Sequence, residues 1–350
     1  MNPFVVNNRK IGDDASTYII AEMSANHNQD LDEAKKIIHA AKKAGADAVK
    51  LQTYTPDTLT INSDSEWFQI GKGSLWENKT LYELYQEAYM PWDWHEELFA
   101  LARSLNLDIF STAFDESALT YLETLNVMMH KIASFEIVDI PLIQKMAKLR
   151  KPLLISTGLS SLDDICEAIN TVRSVNPTCP IALLKCTSAY PAPYKEMNLN
   201  AIPFLKNYFQ LPVGLSDHSR GIEVPIAAVT LGACIIEKHF TLDRSNTSPD
   251  SDFSLEPESF RQMVNSIRNV EDSLGKETYH NNPEESKSNI FRKSLFVVKN
   301  MKKDEIFTKE NLRCIRPGFG LHPKYYFEIL GKKAKKAIDR GTPMNLEYVF

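Results

Sequence analysis

The chain has 350 residues, room for one large domain and a small one, and its 43% hydrophobic and 24% charged residues are ordinary for a globular enzyme in water. A net charge of −5 gives no ground for a nucleic acid or an anionic membrane as partner. No basic stretch with an apolar core follows Met1, so no secretory signal is expected, and the longest apolar run, Val224 to Ile236, is too short to span a bilayer.

The organisation shows in chain order. Short apolar runs end in polar residues at Glu22, Gln52, Thr112, Ser134, Thr157, Thr187, His218 and His239. The runs are rich in Val, Ile and Leu without strict alternation, as in parallel strands buried on both faces. Between them lie segments of helical period: one through Lys43, then about 92–105, 116–125, from Pro141, 162–172, 199–208 and 223–231, with a last one over 256–274. Eight strand–helix units in series predict an α/β fold, a closed parallel (β/α)8 barrel, whose C-terminal strand ends meet at one mouth. Two connections are long for such a fold. Residues 54–91 are rich in aromatics, with Trp67, Trp76 and Tyr82 expected to pack an insert, and residues 241–255 are polar and irregular. Both follow strand ends, where barrel enzymes build substrate pockets. The barrel is expected over 1–277. The polar stretch 278–289 reads as a linker, and 290–350, with short β-like segments and turns, as a small β-rich module that docks on something larger.

Five cysteines, an odd number without CxxC spacing, argue against a disulfide framework or a thiolate zinc site. They point to a reducing compartment, the cytoplasm by default. Cys186 stands at a strand end, either as a reactive thiol or as a small buried hydrophobe.

The strand-end residues are candidates for chemistry. His218 and His239 close consecutive strands, where imidazoles can ligate a divalent metal, act as a base or simply hydrogen-bond. Lys50, Lys131, Lys185 and Lys238 fall within strands near the mouth, and buried lysines need an anion: a phosphate or carboxylate substrate, or the nearby Glu22, Glu136, Asp217 and Glu237. Thr112, Ser134, Ser156 and the Ser156–Gly158 backbone would add donors to such an anion. Glu22 could activate a water or balance charge. A Schiff-base lysine is a rival use of the same barrel.

The motifs IIAEMSANHN, AVKLQT, FSTAFD, KIAS, ISTG, LLKCTSAYPAP, GLSDH, LGACIIEKHFT and SPDSDFSLEP resemble, in order, those of the sialic acid (nonulosonate) synthase family. The segment from SLFVVKNMKKDE to IRPGFGL resembles its C-terminal SAF, or antifreeze-like, domain. LWENKTLYELYQEAYMPWDWH, KIASFEIVDIPLI and DFSLEPE are most like the pseudaminic acid branch. The resemblance implies a TIM barrel plus SAF domain and condensation of phosphoenolpyruvate with an amino-sugar aldehyde. It further implies a divalent metal, Mn or Mg, and a homodimer whose SAF domains cap the partner's barrel. N-acetylneuraminate and legionaminate synthesis are alternatives within the family. Residue by residue, His218 and His239 match metal ligands and Glu22 the catalytic carboxylate. Lys50, Thr112, Lys131, Ser134, Ser156 and Ser188 match phosphoenolpyruvate contacts, while Gln52, Tyr190, Asp250 and Arg316 match sugar contacts, Arg316 arriving from the partner. The family's NHNG reads NHNQ at Asn26–Gln29, its glycine before Pro249 is Ser248, and Ser188 replaces the neuraminic branch's Asn.

Overall fold

Strand β3 (Tyr18–Glu22) pairs in parallel with both β4 (Ala48–Thr53) and β10 (Ile235–His239), and this double pairing closes a ring. The computed structural model describes residues 3–71, 73, 75–245, 247–275 and 283–350. The chain divides into two compact units, 1–275 and 276–350. In the first, the ring is completed by β5 (Asp108–Ala113), β6 (His130–Ile132), β7 (Leu153–Ser156), β8 (Ile181–Cys186) and β9 (Val213–Asp217), in sequence order round the barrel. Every residue of β3 and of β6 to β10 is buried, which is why these runs carry no polar alternation.

Helices cover the outside. Asp30 accepts from the backbone N–H groups of Asp32 and Glu33 and so starts α1 (Leu31–Lys43), which buries Ala34, Ile37, Ile38 and Ala41 at helical spacing. The barrel helices that follow are α4 (His95–Ser104), α5 (Glu116–Thr124), α6 (Ile140–Lys148), α7 (Leu162–Val175), α8 (Ala201–Phe209), α9 (Glu223–Thr230) and α10 (Pro257–Leu274). Their inner faces and the outward side chains of the strands form one core layer; Tyr18, Ile20, Phe110, Leu154, Leu184 and Ile235 form a second inside the barrel. The run Val224–Ile236 enters as α9 and β10, and no described helix is long and apolar enough to cross a membrane.

An antiparallel hairpin, β1 (Phe4–Val6) and β2 (Arg9–Ile11), precedes the barrel and places Phe4, Val6 and Ile11 in the inner core. Its turn residues Asn7 and Asn8 both have positive φ, 44° and 65°, the backbone that a two-residue hairpin requires. The expected elements began only at Tyr18 and missed it.

Residues 54–91 hold the two short helices α2 (Pro56–Leu59) and α3 (Leu81–Ala88), the latter started by a Thr80–Glu83 capping box. Trp67, expected in the packing of this insert, is instead 82% exposed, on a single 3-10 turn that buries nothing. Trp76 donates through Nε1 to the Pro249 carbonyl at 3.1 Å, and Tyr82 is half-buried beside Asp57. The described residues of the other long connection include a 3-10 turn over Ser251–Phe253 and an isolated bridge from Leu255 to Phe240.

In the second unit, β11 (Ser294–Val297) and β12 (Leu312–Ile315) pair antiparallel over a core that includes Leu295, Val297, Phe307, Leu312 and Ile338. Isolated bridges, such as Met301 to Ile338 and Ala334 to Val349, hold the rest, so regular strand is sparser than the β-like pattern implies. Of the expected linker, residues 278–282 lie outside the described residues, and 283–291 form exposed helical turns.

Candidate active site

The C-terminal strand ends open onto a cavity of about 400 Å³ in the first unit. Glu22, Lys50, Gln52, Thr112, Lys131, Ser134, Ser156, Tyr190, His218, His239 and Asp250 all line it. The register explains the convergence: Glu22 stands opposite both Lys50 and His239, Gln52 opposite Thr112, and Thr112 opposite Lys131. Ser188 adjoins this group, its Oγ 3.7 Å from Cys186 Sγ. Gly158 brings Ser188 and Ser134 close: a Cβ there would collide with Ser188 Oγ and lie 2.7 Å from Ser134 Oγ. Arg316 belongs to the second unit, exposed directly after β12.

Charge on the floor is largely compensated. Lys50 Nζ lies 2.8 Å from Glu22 Oε2, 3.6 Å from Glu237 Oε1 and 3.1 Å from Thr112 Oγ1. Burial lowers the Lys50 pKa, but Glu22 and Glu237 outweigh it and hold the ammonium charged. Burial pushes Glu22 up to about 7, against the pull of Lys50. Gln52 Nε2 donates to its other oxygen at 3.2 Å. Lys131 differs: Nζ donates to Ser156 Oγ at 2.6 Å and to its own strand's Ile132 carbonyl at 3.0 Å, with no ion pair among the described residues. Burial lowers its pKa. A buried cation lacking a carboxylate partner is where an anionic ligand gains most.

Two expected anion-binding lysines do not serve. Lys238 is fully buried in an ion pair with Asp217 at 2.7 Å and also donates to the Ser219 carbonyl. Lys185 donates to Thr187 Oγ1, and neither lines the cavity. The pleat puts both on the face turned away from the cavity: Lys238 lies between the lining residues Glu237 and His239, and Lys185 follows the inward Leu184.

The two histidine rings lie 5.2 Å apart between centroids. Nδ1 of His218 is 3.1 Å from the Thr187 carbonyl, so the ring donates there and leaves Nε2 as its electron-pair donor. Nδ1 of His239 is buried with no hydrogen-bond partner. Burial, then His218, Lys50 and Lys238, hold His239 neutral, the form that ligates a metal. Burial also lowers His218, but Cys186 above all raises it, and that imidazole brings the thiol, 3.8 Å from Nδ1, down to about 7 against its own burial. These donors fit a divalent cation held by two imidazoles. No group of three or more His, Cys, Asp or Glu side chains spaced for a metal occurs among the described residues, so water or substrate would fill the remaining positions.

A family model described as the NeuB family matches residues 37–279, and a SAF domain model matches 292–344. The chain belongs to the NeuB family. It is 49% identical over 330 residues to a pseudaminic acid synthase of Helicobacter pylori, covering 94% of this chain and 96% of that protein. It is 40% identical to an N,N'-diacetyllegionaminic acid synthase of Legionella pneumophila, over 98% of this chain and 99% of the other. Among solved structures, an N-acetylneuraminic acid synthetase of Leptospira borgpetersenii in complex with citrate superposes with a TM-score of 0.73 at 32% identity, covering 82% of this chain and 95% of that one.

This NeuB-family cavity also holds groups that the sequence offered only as counter-ions. Glu237 lines it with Oε1 3.1 Å from Ser216 Oγ and Oε2 unpartnered; burial raises its pKa, but Lys50 and Lys131 prevail and keep it ionised. Glu136 lines it too, with a buried, unpartnered Oε2, and burial raises it to about 7. The alternation along β10 was the available signal for Glu237, since residues two apart share a face and His239 was already a candidate.

Proposed function

We propose that this chain is a pseudaminic acid synthase. It condenses phosphoenolpyruvate with the open-chain aldehyde of 2,4-diacetamido-2,4,6-trideoxy-β-L-altropyranose and releases phosphate by C–O cleavage. The observation that carries this reading is the convergence of Lys131, Lys50, Glu22 and two imidazoles on one cavity, in a chain 49% identical to a protein of that name.

Lys131, with Thr112, Ser134 and Ser156, binds the phosphate and carboxylate of phosphoenolpyruvate, which offsets the cost of burying that ammonium. The enol methylene carbon attacks the sugar's aldehyde carbon, and positive charge develops at C2 of the enol phosphate. Water adds at C2 and gives its proton to Glu22, ionised for this step and oriented by Lys50 and Gln52. The alkoxide left at the former aldehyde carbon takes up a proton. The C2–O bond then breaks, and phosphate leaves with the electron pair while the C2 hydroxyl gives up its proton and becomes the ketone. Gln52, Tyr190 and Asp250 orient the sugar, so that attack occurs between two held partners. His218 and His239 would hold a divalent metal, Mn or Mg, which when bound supplies Lewis-acid polarisation of the carbonyl. The same proposal assigns the synthase domain to 1–277, a linker to 278–289 and the SAF domain to 290–350, with Arg316 delivered to the sugar by a partner chain in a homodimer.

The test is phosphate release from phosphoenolpyruvate with this sugar, the legionaminic precursor and N-acetylmannosamine. Fastest turnover with the first supports the reading; preference for either other sugar reassigns the chain within the family. Borohydride inactivation with mass added at Lys131 would instead indicate a Schiff-base aldolase.

A further inference from the structure

Two parts of the chain line the cavity with chemically different groups. The strand ends supply ammonium, carboxylate, hydroxyl and imidazole groups; the segment between β4 and α4 supplies hydrocarbon, from Leu59, Ile70, Leu81, Leu84 and Ala88. Leu84 is only 8% exposed and the others are half-buried, so these side chains meet the cavity from a packed wall. At one corner Tyr54 stands edge-on to Tyr85 and Phe114, with ring centroids 5.7 and 5.2 Å away. At the other, the Trp76 ring leans on Tyr190 at 5.6 Å, and Tyr190 on His218 at 4.4 Å. The indole N–H of Trp76 already donates to the Pro249 carbonyl, leaving its ring as apolar surface.

We infer that this wall is the specificity element for the sugar, selecting a ligand that presents methyl groups, the deoxy C6 and an acetamido methyl, where a common amino sugar presents hydroxyls. The inference rests on the proposed synthase activity. The wall continues from the histidines through Tyr190 and Trp76, so a sugar with its carbonyl carbon at the histidines lays its far end against hydrocarbon. A methyl there exchanges water for carbon contacts. A hydroxyl there loses its water partners and finds no acceptor on Leu59, Ile70, Leu81 or Leu84. An apolar site rejects an added hydroxyl by on the order of 10²-fold, which sets the preference expected for the 6-deoxy sugar over its 6-hydroxy counterpart.

The test measures kcat/KM for those two diacetamido sugars with the wild type, Leu84→Asn and, should that variant fold poorly, Ile70→Thr. The expected result is a wild-type preference of about 10²-fold that shrinks about tenfold in the variants, chiefly through KM for the 6-deoxy sugar, with KM for phosphoenolpyruvate unmoved. Equal losses for both sugars, or a wild-type ratio near one, would overturn the inference while leaving the synthase reading intact. If no amino sugar releases phosphate, the synthase reading fails, and the wall is judged by titrating indole fluorescence with the two reduced, unreactive alditols. Tighter saturable binding of the 6-deoxy alditol, with its signal lost in Trp76→Phe, supports the wall; equal or absent binding refutes it.

Discussion

Glu22 and Lys50 face each other across adjacent strands, in register and 2.8 Å apart, with side chains 1% and 4% exposed. A buried pair of this kind is weakly stabilising as a whole but costly to break from one side. Lys50→Met leaves Glu22 and Glu237 without their shared cation. The variant should lose about 3–5 kcal/mol of unfolding free energy by urea titration at neutral pH. Glu22→Gln keeps a hydrogen-bonding group beside Lys50, so it should fold and bind phosphoenolpyruvate while kcat falls by about 10²-fold or more.

Lys131 gives the opposite balance. Its buried ammonium has hydroxyl and carbonyl partners but no ion pair among the described residues. Lys131→Met should raise the thermal midpoint of the free protein and at the same time raise KM for phosphoenolpyruvate by about 10²-fold. A lower midpoint would show that the cation is structural.

Removal of divalent metal should abolish phosphate release, with recovery on adding Mn²⁺ to the wild type. His218→Ala and His239→Ala should stay inactive at any metal concentration while retaining the wild-type circular dichroism spectrum. Full activity of His218→Ala in chelator would defeat the metal assignment.

Acid sensitivity should come partly from outside the cavity. His27 and His95 are both 0% exposed, and burial lowers each to about 4, with mutual repulsion adding to His27. His95 Nε2 lies 2.8 Å from Thr53 Oγ1, whose oxygen also meets Ser111. Unfolding lets both rings take up protons near pH 6.5, so the stability linked to them is complete above that pH and is lost as pH falls towards 4. By pH 5 the loss is about 2 kcal/mol for each ring. Urea midpoints at pH 7.5 and 5.0 should therefore differ less in His95→Gln than in the wild type.

The barrel was legible because its strands are buried on both faces and its helices on one, so two different periods alternate along the chain. The site was legible for a related reason: a parallel barrel brings every strand's C-terminal end to one mouth, and polar residues stand out at the end of an apolar run. What the apolar runs alone did not show was the direction of each side chain, which the two-residue pleat of the strand decides. Lys238 and Lys50 look alike in sequence, yet one is paired with Asp217 and the other with Glu22 in the cavity. Trp67 and Trp76 lie in one aromatic segment, and only contacts made far along the chain, at Pro249 and Tyr190, separate the half-buried ring from the exposed one. The N-terminal hairpin escaped notice because each strand is three residues long and the second opens with Arg9 and Lys10, although the Asn7–Asn8 pair was a usable turn signal.

That hairpin has a practical bearing. Phe4, Val6 and Ile11 join Tyr18 and Ile235, the residues that begin β3 and β10, so the hairpin is anchored at the end of the barrel remote from Glu22 and His239. An affinity tag or a tether to a solid support attached at this hairpin would stay clear of the strand ends that carry the reaction.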